Sequence, residues 1–428
     1  MSQPELFSGA GVSESKPPRA ARILSRLPRL QTFSALSYRD YRLLWFGTLF
    51  SSSGQWIQQV SISWLTYDMT GSAFLLGAVN GLRALPLLLL GPFGGVAADR
   101  LNRKRLLFST QLFLMIVTAV FATVVVTGQA HIWNIILFSL LTGVAWAFNM
   151  PVRQSIVPNL VPPEKLTSAI ALNSAGFNAT RIIGPSLAGL MIASIGVAGN
   201  FYLQALAYVG VAVMVAQIHI PPTPGASRGV SVWRNLAEGA GYVWHHPTLR
   251  TQMSLALIPV VIALPYVTLL PVFAKDVLHV GPTGFGLLSS APGLGALIGT
   301  LTIATIGNVK RRGLLLFASL MALGMSLILF SMSRTFVLSL ALLVLVGCFQ
   351  MTYMTTNQTL LQLSIPNEFR GRIMGIYMLN QGLLPLGSLF AGALAALWGA
   401  PLAALVMGMS VVLLTSLAFL FMPSMRSV

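Results

Sequence analysis

Long apolar runs broken by short polar turns recur along the chain. The clearest example runs from Ala73 to Ala98, then through a turn holding Asp99, Arg100, Arg103, Lys104 and Arg105, then from Leu106 to Val126. A helix needs about 20 apolar residues to cross a bilayer, and both runs reach that length. The same pattern predicts twelve helical spans, near 41–66, 73–98, 105–127, 132–156, 166–194, 199–218, 251–274, 283–306, 313–331, 335–360, 371–397 and 401–422. The longest connection, His219 to Arg250, opens on Pro221-Pro-Thr-Pro224. It continues as an amphipathic stretch, Ser231 to His246, with Trp233, Leu236, Tyr242 and Val243 as its apolar residues. That stretch is expected to lie flat on the cytoplasmic face.

The predicted organisation is a tail (1–40), a six-helix bundle (41–218), a linker with an amphipathic helix (219–250), a second six-helix bundle (251–422) and a short end (423–428). The fold class is all-α: a polytopic membrane protein whose twelve spans form two pseudo-symmetric bundles. The two halves repeat. Gln154, Pro162 and Glu164 recur 204 residues later as Gln358, Pro366 and Glu368. Gly184-Pro-Ser-Leu-Ala-Gly189 is echoed by Gly387-Ser-Leu-Phe-Ala-Gly392, and Lys104-Arg105-Leu-Leu-Phe-Ser by Lys310-Arg-Arg-Gly-Leu-Leu-Leu-Phe-Ala-Ser319. Two halves of like orientation, related by an axis along the membrane normal, are a repeat built for rocking.

Composition agrees. Of 428 residues 55% are hydrophobic and 8% charged, against about 25% charged in soluble chains. The net charge of +17 would suit nucleic acid if the bases shared a soluble face, but they fall between apolar runs, so no nucleic acid is expected. With even connections and both termini inside, the inner side takes Lys16, Arg19, Arg22, Arg26, Arg29, Arg39, Arg42, Arg100, Arg103, Lys104, Arg105, Arg153, Lys165, Arg228, Arg234, Arg250, Lys310, Arg311, Arg312, Arg370, Arg372 and Arg426. Only Lys275 and Arg334 fall outside, and Arg83 and Arg181 fall inside spans. That asymmetry predicts cytoplasmic termini. The basic end of the tail, Arg22 to Arg29, is either unstructured or rests on anionic lipid. No apolar core near the N-terminus suggests a cleaved signal peptide. The single cysteine, Cys348, excludes a disulfide framework. The five histidines lie in connections without metal spacing, no Walker sequence occurs, and no catalytic group is found at membrane depth. Neither metal, cofactor nor catalysis is expected.

Arg83 and Arg181 stand about ten or more residues from either end of their spans, roughly 15 Å at 1.5 Å per residue. A guanidinium at that depth costs at least ~2.5–3.5 kcal/mol unless it faces a wet cavity or a partner. No acid is found at the same depth, which points to an anionic or electron-rich small molecule; for Arg181 the alternative is hydrogen bonding to carbonyls near Pro185. Gln55 and Gln59 share a face of the first span with Ser51 and Ser52. Asn80, Trp146, Asn149, Asn178, Tyr353, Asn357, Asn380 and Gln381 add polar groups on other spans, as cavity lining or as hydrogen bonds between helices. Gly293, Gly295 and Gly299 sit in an apolar span and suit close helix packing rather than a nucleotide loop.

With these residues laid out, the chain resembles the major facilitator superfamily along its membrane-embedded length. Gly95-Val-Ala-Ala-Asp99-Arg100-Leu-Asn-Arg103-Lys104-Arg105 is similar to the superfamily pattern Gly-x-x-x-Asp-Arg-x-Gly-Arg-Lys/Arg between its second and third helices. Asn102 replaces Gly and would tolerate a left-handed turn. Gly184-Pro185-Ser-Leu-Ala-Gly189 resembles the antiporter signature in part, with Ala188 in place of Gly. The phrases Tyr38–Trp45, Asp68–Ser72, Thr180–Pro185 and Phe369–Gly375 look like the bacterial branch of enterobactin exporters and macrolide efflux proteins. The resemblance implies that Asp99 contacts the start of the eleventh helix, near Arg370, Arg372 and Met374, to hold the cytoplasmic side shut. Gly95, Arg100, Arg103, Lys104, Gly184, Pro185 and Gly189 would share in gating. It also implies that the first, fourth, seventh and tenth helices line the path. The expected function is export of an amphiphilic small molecule, siderophore-like or drug-like, by alternating access, with protons as the coupling ion and a monomer as the working unit. Asp68 and Asp276 at the outer mouth would titrate, or the substrate's own charge would carry the coupling. The alternatives are import of an organic anion or lysophospholipid, and a membrane sensor.

Overall fold

A computed structural model describes residues 31–220, 232–307, 311–366 and 369–422. The tail 1–30, the proline-rich start of the connection, Lys310, Glu368 and Arg426 lie outside the described residues, as do the side chains of Asp99, Arg370 and Gln381. Every regular element among the described residues is helical. In chain order these are α1 (Arg39–Thr70), α2 (Ala73–Arg100), α3 (Arg103–Val126) and α4 (Ile132–Ile156). The stretch Leu166–Gln217 bends at Gly196 into α5 (166–195) and α6 (197–217). After the connecting helix α7 (Val232–His245) come α8 (247–277), α9 (Gly281–Ile306), α10 (Arg312–Met332) and α11 (Phe336–Ser364). The eleventh span is α12 (Arg370–Gln381) plus α13 (384–398), and α14 (400–421) closes the chain.

Nine helical stretches among the described residues are long and apolar enough to cross a bilayer. Two of them, Pro163–Gln217 and Leu384–Phe421, contain a reversal and are long enough to cross twice. With α1, whose serines and glutamines dilute its hydropathy, this is consistent with the twelve predicted spans. The face carrying the Gly95–Arg105 turn is called here the basic face, and its opposite the far face.

The reversals use glycine for a stated reason. Gly196 has φ 74° and ψ 173°, and Gly399, 203 positions later, has φ 80° and ψ 159°. An L side chain rarely adopts that backbone, so the repeat places the same hinge at the far end of both halves. Proline shapes the rest. The predicted span 371–397 is interrupted at Gly382–Leu383, where Pro385 lacks the N–H that would continue the ladder. Along α8, Pro259, Pro265 and Pro271 accompany wide π-type turns at Ile258–Ala263 and Phe273–Val277. Asn102 departs from expectation: its φ is −65°, and its side chain caps α3 by accepting from the Arg105 N–H at 3.0 Å. A cap, not a left-handed turn, is what this position needs.

The halves meet along two helix pairs related by the repeat. A Cβ added at Gly77 of α2 would lie 2.5 Å from the Ser388 carbonyl oxygen of α13, with Gly392 beside it. A Cβ at Gly286 of α9 would lie 2.5 Å from the Pro185 carbonyl oxygen of α5, with Gly189 beside it. Small residues let the backbones touch where lipid offers no hydrophobic drive. Ser186 donates to Ser290 at 2.7 Å across the second pair. These contacts lie toward the far face. There α1 and α8 also meet through charge: Lys275 pairs with Asp68 at 2.6 Å, and the Tyr67 hydroxyl donates to Asp276.

A cationic cavity between the halves

Behind this closure lies a cavity of about 320 Å³ bounded by both halves. From the first half come Gln55, Trp56, Gln59 and Ser63 of α1, Asn80, Arg83, Ala84 and Leu87 of α2, Gly143 and Trp146 of α4, and Arg181 of α5. The second half supplies Leu264–Thr268 of α8, Ser289 and Pro292 of α9, Gln350 of α11, and Leu384 and Ser388 of α13. Gln55 and Gln59 face it together because a four-residue step returns to the same side of a helix. Arg83 is ten residues from the far end of its helix and Arg181 fifteen from the Gly196 hinge, so both stand at mid-depth.

Backbone packing fixes both arginines. A Cβ at Gly143 of α4 would sit 2.6 Å from the Arg83 carbonyl oxygen, so α2 and α4 are in direct contact beneath that side chain. A Cβ at Gly293 of α9 would sit 3.2 Å from the Arg181 carbonyl oxygen. Tyr266, fully buried, lies beside Arg181. Among the described residues no carboxylate lines the wall, so the cavity holds two cations. The indole N–H groups of Trp56 and Trp146, also in the wall, are buried without a hydrogen-bond partner. Unsatisfied buried donors carry a free-energy cost of about 1–3 kcal/mol each. A ligand rich in acceptor oxygens would relieve it. Leu87, Leu264, Pro265 and Val267 give the same cavity an apolar side.

Six of the residues singled out from the sequence, Arg83, Arg181, Gln55, Gln59, Asn80 and Trp146, are brought together here. Others lie elsewhere. Asn149 is buried and donates to Thr110 at 2.9 Å. Asn178 donates to the Ser174 carbonyl of its own helix at 2.9 Å. Asn380 donates to the Met253 carbonyl at 3.4 Å. Tyr353 and Asn357 are fully buried outside the lining. Trp56, Tyr266 and Gln350 were not singled out, and only the proximity of Trp56 to Gln55 hinted at any of them. Arg153, counted among headgroup bases, is instead packed within the first half, near Tyr208 and 3.5 Å from the Gly47 carbonyl oxygen.

On the basic face, Arg103 donates to the Ala98 carbonyl at 2.9 Å and to the Ser155 carbonyl at 3.1 Å, tying the end of α2 to the end of α4. Arg100 is exposed and Lys104 half-buried. The start of α12 is held by the connecting helix: Arg372 pairs with Glu238 at 2.6 Å, and Tyr242 stacks on Phe369 at 4.3 Å. Helix α7 thus packs its Tyr242 face on protein. Gly184 packs against Trp56, so the Gly184–Gly189 stretch supports both the cavity wall and the far-face closure.

The helices of the two repeats enclose a mid-depth cavity, and comparison with known proteins names the family. A model of the transmembrane secretion effector family matches residues 30–427. The chain belongs to that family. Through it the chain is a member of the major facilitator superfamily and a multi-pass membrane protein of bacterial transporter type. Among relatives of this chain, the staphyloferrin A transporter of Staphylococcus aureus is 29% identical, covering 86% of this chain and 93% of its own. The multidrug efflux pump Tap of Mycolicibacterium fortuitum is 27% identical, covering 90% and 96%. Macrolide efflux protein A of Streptococcus pyogenes is 23% identical, covering 84% and 91%. Among solved structures, a bacterial homologue of the human lysosomal transporter Spinster superposes with a TM-score of 0.73 at 14% identity, covering 91% of this chain and 98% of that one. The nucleoside transporter NupG gives 0.71 at 14% identity, covering 89% and 98%. These two share the fold.

Proposed function

We propose that this protein is a secondary active exporter that moves an amphiphilic small molecule out of the bacterial cytoplasm by alternating access. The observation that carries the reading is the cavity: set between the halves behind the far-face contacts, and lined by Arg83, Arg181 and two unpartnered indole donors beside apolar side chains. The wall suits a molecule with an anionic or acceptor-rich end and an apolar body. Two relatives named as efflux proteins, the multidrug efflux pump Tap and macrolide efflux protein A, support the outward direction.

The base-rich face is the cytoplasmic one by the positive-inside bias, which puts both termini in the cytoplasm of a cell with its inner membrane as the host bilayer. The far-mouth contacts would belong to the state that serves the cavity from the cytoplasm. The Lys275–Asp68 and Tyr67–Asp276 contacts would part on the outward swing. Asp99 and the start of α12 would then meet to close the basic face. Protons entering at Asp68 and Asp276, or the charge of the substrate, would supply the drive.

Inside-out membrane vesicles test the direction. Energised vesicles containing the chain are expected to accumulate an amphiphilic anion above vesicles without it. Accumulation only in right-side-out vesicles would make the protein an importer and overturn the proposal.

A further inference from the structure

The placement of charge separates the two sources of drive. Among the described residues the carboxylates stand at helix ends, in turns or on α7: Asp40 and Asp68 near the ends of α1, Asp99 at the end of α2, Glu164 before α5, Glu238 on α7 and Asp276 at the end of α8. Glu5, Glu14 and Glu368 lie outside the described residues. The two at the far mouth, Asp68 and Asp276, are surface-exposed and engaged with Lys275 and Tyr67. A proton bound there comes from the far side and returns to it, so it performs no transport work. The cavity that both halves enclose at mid-depth presents two guanidinium groups.

Resting on the export reading, we infer that the membrane potential acting on the substrate's negative charge drives export, and that the cycle needs no counter-transported proton. When an anion occupies the cavity, its charge offsets Arg83 and Arg181, and the outward swing moves little net charge. The empty carrier then returns with its two cations bare. Turning that cationic cavity from far-face to cytoplasmic access is favoured by an inside-negative potential. Each cycle exports negative charge. The attainable gradient therefore rises about tenfold per elementary charge for every ~59 mV, from the free energy of one charge in the membrane potential.

The test uses inside-out vesicles holding the full chain and dansylglutamate, an aromatic dicarboxylate, as the probe. In one arm, valinomycin with an inward potassium gradient makes the lumen positive at equal pH. In the other, equal potassium and valinomycin clamp the potential at zero while the lumen is acid. Uptake at least tenfold above chain-free vesicles is expected in the first arm, and none above them in the second. Uptake in the acid-lumen arm would assign the coupling to protons and overturn this inference, while leaving export intact. Uptake in neither arm would overturn anion export itself. The Arg83→Gln/Arg181→Gln variant is expected to lose voltage-driven uptake, and Arg83→Lys, which keeps the charge, to retain its voltage dependence. A double variant with wild-type voltage dependence would remove the arginines from the account.

Discussion

Arg83 and Arg181 were legible in the sequence because a charge inside an apolar run costs several kcal/mol unless something wet or charged receives it. No packing information was needed to single them out. The other wall residues are different. Tyr266, Gln350 and Trp56 look like any other amphipathic side chain, and what sets them apart is which helix faces them. Arg153 misled for the complementary reason: near the end of its run it reads as a headgroup anchor, yet α4 turns it into the first half beside Tyr208. At this scale two substitutions discriminate. Arg83→Gln removes a charge-assisted contact of about 1.5–3 kcal/mol, so the concentration for half-maximal transport of an anion is expected to rise tenfold or more. Trp56→Phe keeps the ring and removes an unpartnered donor. A neutral hydrogen bond of about 0.5–1.5 kcal/mol should weaken acceptor-rich ligands a few-fold and leave purely apolar ones unaffected in the same transport assay.

The elements followed from hydrophobic runs, and the structure adds the joints between them. The reversal at Gly196 and Gly399 fell between predicted spans, where a glycine in a short gap marks a turn. The interruption before Pro385 and the wide turns of α8 did not, because a proline inside an apolar run is equally compatible with a kinked helix. Helix contacts were invisible for a simpler reason: which glycine meets which backbone depends on tertiary packing. Gly143 illustrates the consequence. A methyl group there must displace the Arg83 carbonyl. Gly143→Ala is therefore expected to cost ~1–3 kcal/mol, read as a lower Tm of the purified protein, with slower anion transport. The far-mouth pair is gentler. Lys275 and Asp68 are exposed, and such pairs contribute about 0.2–1 kcal/mol. Asp68→Asn should shift the population toward the open far mouth by no more than about fivefold, read as faster labelling of a cysteine at Gln59 from the far side. The Asp68→Lys/Lys275→Asp exchange should restore the wild-type rate.

At the scale of the whole molecule, the repeat in the sequence already implied two like halves, and the structure shows what it is used for: paired closures, Gly77 with Gly392 and Gly189 with Gly286, on one side of a shared cavity. The substrate's identity was never in the pattern, since the fold-defining turn at Gly95–Arg105 lies at a helix end, away from the mid-depth cavity wall. The account's central claim is that the two mouths of this cavity open in alternation. Spin labels on a Cys348→Ser background measure it directly, with Met69→Cys and His279→Cys across the far mouth, and Leu101→Cys and Leu363→Cys across the basic mouth. All four positions are exposed at helix ends or in turns. Double electron–electron resonance with saturating dansylglutamate is predicted to lengthen the far pair and shorten the basic pair together. Distances that both lengthen, or that both stay fixed when ligand binds, would contradict the account.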